Sequence, residues 1–169
     1  MKLVEALQSE FETEVAIARK FLERVPEDKL SWTPHEKSMA LDRLASHIAE
    51  IPMWTIPTLE QDSLDLAPPG APPYTPHVAA SRKEMLEIFD KNVAAARASL
   101  AAVKDDRWTQ PWSLLMGGQV LLAEPRIAIL RSFVFNHLVH HRAQLGVYLR
   151  LNNVAVPSTY GPSADENTM

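Results

Sequence analysis

The chain contains no cysteine among its 169 residues. This excludes a structural disulfide, a cysteine zinc finger, an iron–sulfur cluster and a cysteine nucleophile. Glycine is also scarce, at five, while proline is plentiful, at 13. No Gly-rich phosphate loop, Gly-x-Ser-x-Gly elbow or His-Glu-x-x-His motif is present. No apolar run approaches the roughly 18 residues that span a bilayer. The N-terminal residues are acidic early, at Glu5, and lack the apolar stretch of a secretory signal, so the cytoplasm is the expected compartment. Basic residues number 17 against 21 acidic ones, a net charge of −4. A nucleic-acid-binding protein usually displays a basic stripe, and none is evident. Arg126, Arg131, Arg142 and Arg150 are spaced along one segment and read as a solvated helix flank.

What is present is helical periodicity. The length suits one domain spanning 1–169, and hydrophobic residues at 46% suffice for a core. Val4, Leu7, Phe11, Val15, Ala18, Leu22 and Val25 recur at steps of three and four, predicting a helix over about 2–24 that Pro26 stops. A second helix is expected over 38–58, capped by Ser38, with the stripe Ala40, Leu44, His47, Ile51, Trp54. Pro52 should kink it and Pro57 end it. Residues 61–77 hold Pro68, Pro69, Pro72, Pro73 and Pro76 and read as a stiff surface connection. Leu86, Phe89, Val93, Ala96, Leu100 and Val103 predict a third helix over 79–103. The interval 107–124, centred on Gly117 and Gly118, fits either a loop or a short hairpin. A fourth helix opens at Pro125 and runs to 151, with the stripe Leu130, Val134, His137, His141, Leu145, Tyr148. An irregular tail occupies 152–169. The expected fold is all-α, a four-helix bundle with long crossover connections.

Three of the six histidines fall on inward stripes. His137 and His141 are one turn apart on the fourth helix, and His47 occupies the inward position of the second. Three neutral imidazoles from two helices make a ligand face for one divalent metal that leaves coordination positions open. The alternative is a buried polar cluster whose nitrogens are all satisfied within the protein. His140 could replace His141, though it lies off the stripe. His35 and His77 adjoin prolines and are expected on the surface. Glu50, three after His47, is placed either to orient that ring, to serve as general base, or simply to be exposed. Gln144, three after His141, is either a contact at the site or polar filler at the core edge. Trp54 and Tyr148 are core or pocket wall. Asn136 faces away and has no role. Gly146, mid-helix, implies close approach of a neighbouring helix. No Glu-x-x-His pair recurs on two helices, which disfavours a di-iron carboxylate bundle.

The run from Asn136 to Arg150, with its His-x3-His-Arg-x-Gln core at 137–144, is followed by the Tyr160, Gly161, Pro162 tail and by Asp165 and Glu166. Together with Leu41–Glu50, preceded by Trp32, Pro34, Lys37 and Ser38, it resembles the DinB family of the DinB/YfiT-like metalloproteins. The resemblance covers nearly the whole chain. It implies a four-helix bundle with a right-handed crossover arrangement, often a homodimer. It implies one divalent metal, commonly nickel or zinc, held by three histidines that fall here on His47, His137 and His141. Activities in that family include transfer of low-molecular-weight thiols such as bacillithiol, a mycothiol-dependent isomerase and metal-dependent hydrolysis. The expected function is therefore activation of a small thiol cosubstrate for transfer to a small-molecule substrate. The alternatives are a hydrolase using a metal-bound water and a non-enzymatic, metal- or ligand-binding stress-response dimer.

Overall fold

The computed structural model describes residues 2–72 and 74–167; Met1, Pro73 and the last two residues of the tail lie outside them. Its helices are α1 (Leu3–Leu22), α2 (Leu41–Glu50), α3 (Thr55–Glu60), α4 (Arg82–Ala102), α5 (Arg126–Ile129) and α6 (His137–Leu151). Its strands are β1 (Ser63–Asp65), β2 (Pro111–Met116) and β3 (Gln119–Pro125). The bundle is formed by α1, α2, α4 and α6, with α4 and α6 each packed against both α1 and α2. The 3-4 stripes face inward: Phe11, Val15, Ala18, Leu44, Phe89, Val93, Ala96, Val134 and Leu145 are all buried. Among the described residues no helix is long and apolar enough to cross a membrane.

Several expectations need correction. The fold is mostly helical but not purely all-α, because β1, β2 and β3 form one small sheet in that order. The undecided interval is a hairpin: β2 and β3 run antiparallel, and Met116 pairs with Gln119 across Gly117 and Gly118. Both glycines have positive φ, 60° and 80°, as a two-residue hairpin turn that follows the strand twist requires. The proline-rich connection is not wholly unpacked, since β1 pairs parallel with β2. Asp65 then fastens the turn. Its carboxylate accepts from the backbone N–H groups of Ala67, Gly117 and Gly118 at 2.9, 3.0 and 2.7 Å. These bonds hold its pKa below the usual carboxylate value, Ala67 contributing most. Periodicity could not show this, because a three-residue strand has no period to read.

The second helix begins at Leu41 with Ala40, not Ser38, at its N-cap; Ser38 instead lies in the preceding turn. Pro52 does interrupt the helix, which tightens into a 3₁₀ turn over Ile51–Trp54. Pro57 does not end it, for α3 continues to Glu60. The missing N–H of Pro57 falls in the first turn of α3, where a helix donor has no partner in any case. Ser81 caps α4, its hydroxyl accepting from the Glu84 N–H at 3.2 Å. Pro125 is the last residue of β3 and the N-cap of α5. Between α5 and α6 the chain makes a π-helical segment, Leu130–Asn136, which no spacing argument anticipated. The close approach at Gly146 is with α1: a Cβ there would stand 3.0 Å from the Phe21 ring.

The solvated arginine flank holds for Arg131 and Arg150, which are exposed, but not for the other two. Arg126 and Arg142 are almost fully buried, at 0% and 2% exposure. Arg126 donates to the Thr58 carbonyl at 2.8 Å and to Asp62 at 2.5 Å, tying α5 to the end of α3. Arg142 donates to Glu14 on α1 and to the Tyr160 hydroxyl, both at 2.6 Å. A helical-wheel angle places a guanidinium but does not show whether a carboxylate waits for it inside.

Candidate metal centre

His47 stands near the end of α2, and His137 and His141 occupy the first two turns of α6. Helical spacing puts the last two rings one above the other. The α2–α6 packing brings the first across from them. His141 is buried, and His47 and His137 are half-buried. The three rings converge through the same atom. Nε2 of His137 lies 3.2 Å from Nε2 of His47 and 2.9 Å from Nε2 of His141. Two nitrogens bound at 2.0–2.1 Å to one tetrahedral zinc lie roughly 3.3 Å apart. The observed separations suit such an ion after slight spreading. The three residues form one group that can hold a metal ion.

Each ring also has an acceptor on its far side. His47 Nδ1 meets Glu50 Oε2 at 3.4 Å, His137 Nδ1 meets the Phe133 carbonyl at 3.3 Å, and His141 Nδ1 meets Gln144 Oε1 at 2.7 Å. A carboxylate, a main-chain carbonyl and an amide carbonyl are the groups that fix the tautomer of metal-bound imidazoles. With a proton on each Nδ1, three Nε2 lone pairs point at one spot, where a cation satisfies all of them. Electrostatics agree. Burial, followed by the neighbouring His47, lowers the pKa of His137. Burial lowers His141 to about 4, against the opposing bond from Gln144. Neutral rings near pH 7 are the ligand form.

The Phe133 carbonyl is the contact that sequence reasoning missed. The backbone N–H of His137 donates to the Val134 carbonyl, and the Phe133 carbonyl receives the His137 ring instead. π-helical turns are rare and frequently mark functional sites. A main-chain carbonyl carries no residue-type signal, so spacing could not reveal it.

Glu50 and Gln144 each touch a triad ring, and Glu50 lies at the Nδ1 face of His47, opposite the converging Nε2 atoms. Trp54 packs edge-on to Phe133 at 4.7 Å, and Phe133 packs on His137 at 5.9 Å, so Trp54 is one ring removed from the triad. With Met53, Leu64, Leu66 and Tyr74 it lines an apolar cavity of about 270 Å³. Tyr148 is engaged elsewhere, edge-on to Trp32 at 5.4 Å and donating to the Met39 carbonyl at 3.1 Å. His140 is exposed and lies outside the triad. His35 and His77 are exposed, His77 bonding Glu84 at 2.8 Å.

A helical bundle with a three-histidine centre between two of its helices is thus the class of protein that fold and site define. The DinB family model matches residues 2–168, and the chain belongs to the DinB family. Two solved structures share the fold. A DinB-like protein of Bacillus cereus is 25% identical, with a TM-score of 0.69, covering 91% of this chain and 95% of that one. A DinB-like protein of Bacillus subtilis is 16% identical, also at 0.69, covering 97% and 99%. No curated protein matches the sequence.

Proposed function

We propose that the chain is a metal-dependent enzyme that activates a small thiol for transfer to an electrophilic substrate. The observation that supports this is the convergence of three Nε2 atoms whose Nδ1 partners are already supplied. Among the described residues no fourth histidine or carboxylate joins the group. Three protein ligands with free positions are the pattern of catalytic rather than structural sites. His47, His137 and His141 hold the ion, with nickel or zinc as the proposed metals. When bound, such an ion lowers the pKa of a coordinated thiol or water.

The choice of thiol over water follows from what the residues can do. A free thiol has a pKa of about 8.5, so modest polarisation yields thiolate at neutral pH without a base. Water starts far higher, at about 15.7, and hydrolysis gains more from a general base. The nearest carboxylate, Glu50, already orients His47 from the Nδ1 side and has its partner there. Glu50 and Gln144 act as positioning residues, and Trp54 walls the approach. Tyr148 ties α6 to the segment just before α2 by its bond to Met39. The absence of cysteine means that no thiolate of the chain competes for the ion or the electrophile. In the overall reaction an S–C bond forms as an epoxide C–O bond breaks, and the thiol proton ends on the freed oxygen. The active species is proposed to be a homodimer, which sedimentation velocity at micromolar concentration checks.

The test is zinc- or nickel-loaded protein with a panel of small thiols and an epoxide acceptor. Metal-dependent conjugation that His137→Ala abolishes is expected. Ester or amide hydrolysis that falls in Glu50→Gln, with no conjugation, would replace the transferase with the hydrolase. Metal binding without either reaction would leave a binding protein.

A further inference from the structure

Arginine is normally well matched in this protein. Nine of its ten arginines donate a side-chain hydrogen bond to a carboxylate, carbonyl, amide or hydroxyl oxygen. The exception among the described residues is Arg43. Its side chain is half-buried, its Nη1 is fully shielded from solvent, and Nη1 has no hydrogen-bond partner. The adjacent Asp42 spends its Oδ1 on the Arg43 backbone N–H at 2.6 Å, not on the guanidinium. A shielded guanidinium nitrogen without an acceptor is unfavourable, so its location matters.

Arg43 lies four residues before His47 on α2, hence on the same face and one turn away. Its neighbours along that row are His47 and then Glu50, which is committed to His47. Opposite on α6, Gln144 uses its carbonyl oxygen on His141, which leaves its amide N–H groups as donors. Arg43 therefore stands on α2 one turn before the triad, on its Met39 side, and the apolar Trp54 cavity lies beyond the other end of that helix.

We infer that Arg43 is the anion-recognition residue beside this centre, pairing with a carboxylate on a small ligand whose other end sits at the His47, His137, His141 centre. The inference rests on the metal reading above and names the ligand class for that site. A carboxylate fits better than a phosphate. One guanidinium fork matches one carboxylate in charge and geometry. A dianion would carry surplus negative charge into a row that already contains Glu50, in a protein of net charge −4.

The experiment compares 3-mercaptopropionate with 2-mercaptoethanol on cobalt-loaded wild type and R43Q, following the cobalt absorption bands. Wild type is expected to bind the carboxylate thiol about tenfold or more tightly, as a charge-assisted bond allows. In R43Q the ratio should collapse to about one while 2-mercaptoethanol binding is unchanged, and R43K should fall between. Equal affinities in wild type, or a preference that survives in R43Q, would overturn the assignment. Cobalt uptake is read before any thiol is added, so failure of the metal reading shows separately. In that case succinate binding to the metal-free protein decides. Weakening in R43Q upholds Arg43, and no difference between the two proteins overturns it.

Discussion

His141 and Arg142 are adjacent on α6, yet one turns to α2 and the other to α1. Arg142 belongs to a closed cluster. Its guanidinium donates to Glu14 and to the Tyr160 hydroxyl, and that hydroxyl donates back to Glu14 at 2.8 Å. Charge and hydrogen bonds balance inside the protein, so nothing further is required. His141 belongs to an open cluster. The outer nitrogens of the triad have acceptors, and with their protons placed there, three inner lone pairs face one another. Both clusters contain buried polar groups, and burial alone does not separate a staple from a site. What separates them is whether donors and acceptors cancel without a ligand.

The comparison breaks if the two clusters respond alike. The largest effect should be on the open one: His141→Ala should abolish stoichiometric zinc or nickel binding, as read by calorimetry, while leaving the unfolding midpoint of the metal-free protein nearly unchanged. Arg142→Ala should do the reverse. Removing one member of a buried ion pair strands the other, here Glu14, and destabilises by about 3–5 kcal/mol. Urea unfolding measures that loss, and metal affinity should change little provided the variant is folded. Smaller effects come from the outer acceptors. Gln144→Ala should weaken metal binding by roughly 10–100-fold, the usual range for groups that orient ligand histidines, and Glu50→Ala should weaken it less, because its contact is longer, 3.4 Å against 2.7 Å.

A separate test is the pH dependence of the metal-free protein. Burial holds His141 at about 4, below its ordinary 6.5. Between those values the unfolded chain binds a proton that the folded one refuses. Folded stability is therefore undiminished above pH 6.5 and declines as pH falls toward 4. The lowering of His137 adds to the decline in the same direction. Melting curves at pH 7.5 and 4.5 check the sign. A midpoint that rose on acidification would mean that the folded cluster takes up a proton more readily than the unfolded chain, and so is balanced by a proton alone.

The helices were legible because their periods are long. Phe89, Val93, Ala96 and Leu100 repeat over three turns and are buried where the stripe places them. The same reading selected His47, His137 and His141, since inward positions on two helices are visible as sequence offsets. The sheet was not legible, because Ser63–Asp65 is too short for a pattern and its partner lies some fifty residues away. Arg142 was misread for a related reason. Its carboxylate, Glu14, is 128 positions distant, and nothing local announces it. Arg43 lay in plain view one turn from His47, and only the partners of the other nine arginines made its lack of one informative.

The amino-acid sequence by itself determined the helical stripes, the absence of any internal thiol and the two-helix origin of the histidines. These follow from periodicity and composition, which are local. Tertiary structure alone decided that the Nε2 atoms meet, that a π turn hands the Phe133 carbonyl to His137, and that Arg142 closes a circuit while Arg43 does not. Each of these depends on which donor meets which acceptor across the bundle, and such pairings are set by packing rather than by spacing along the chain.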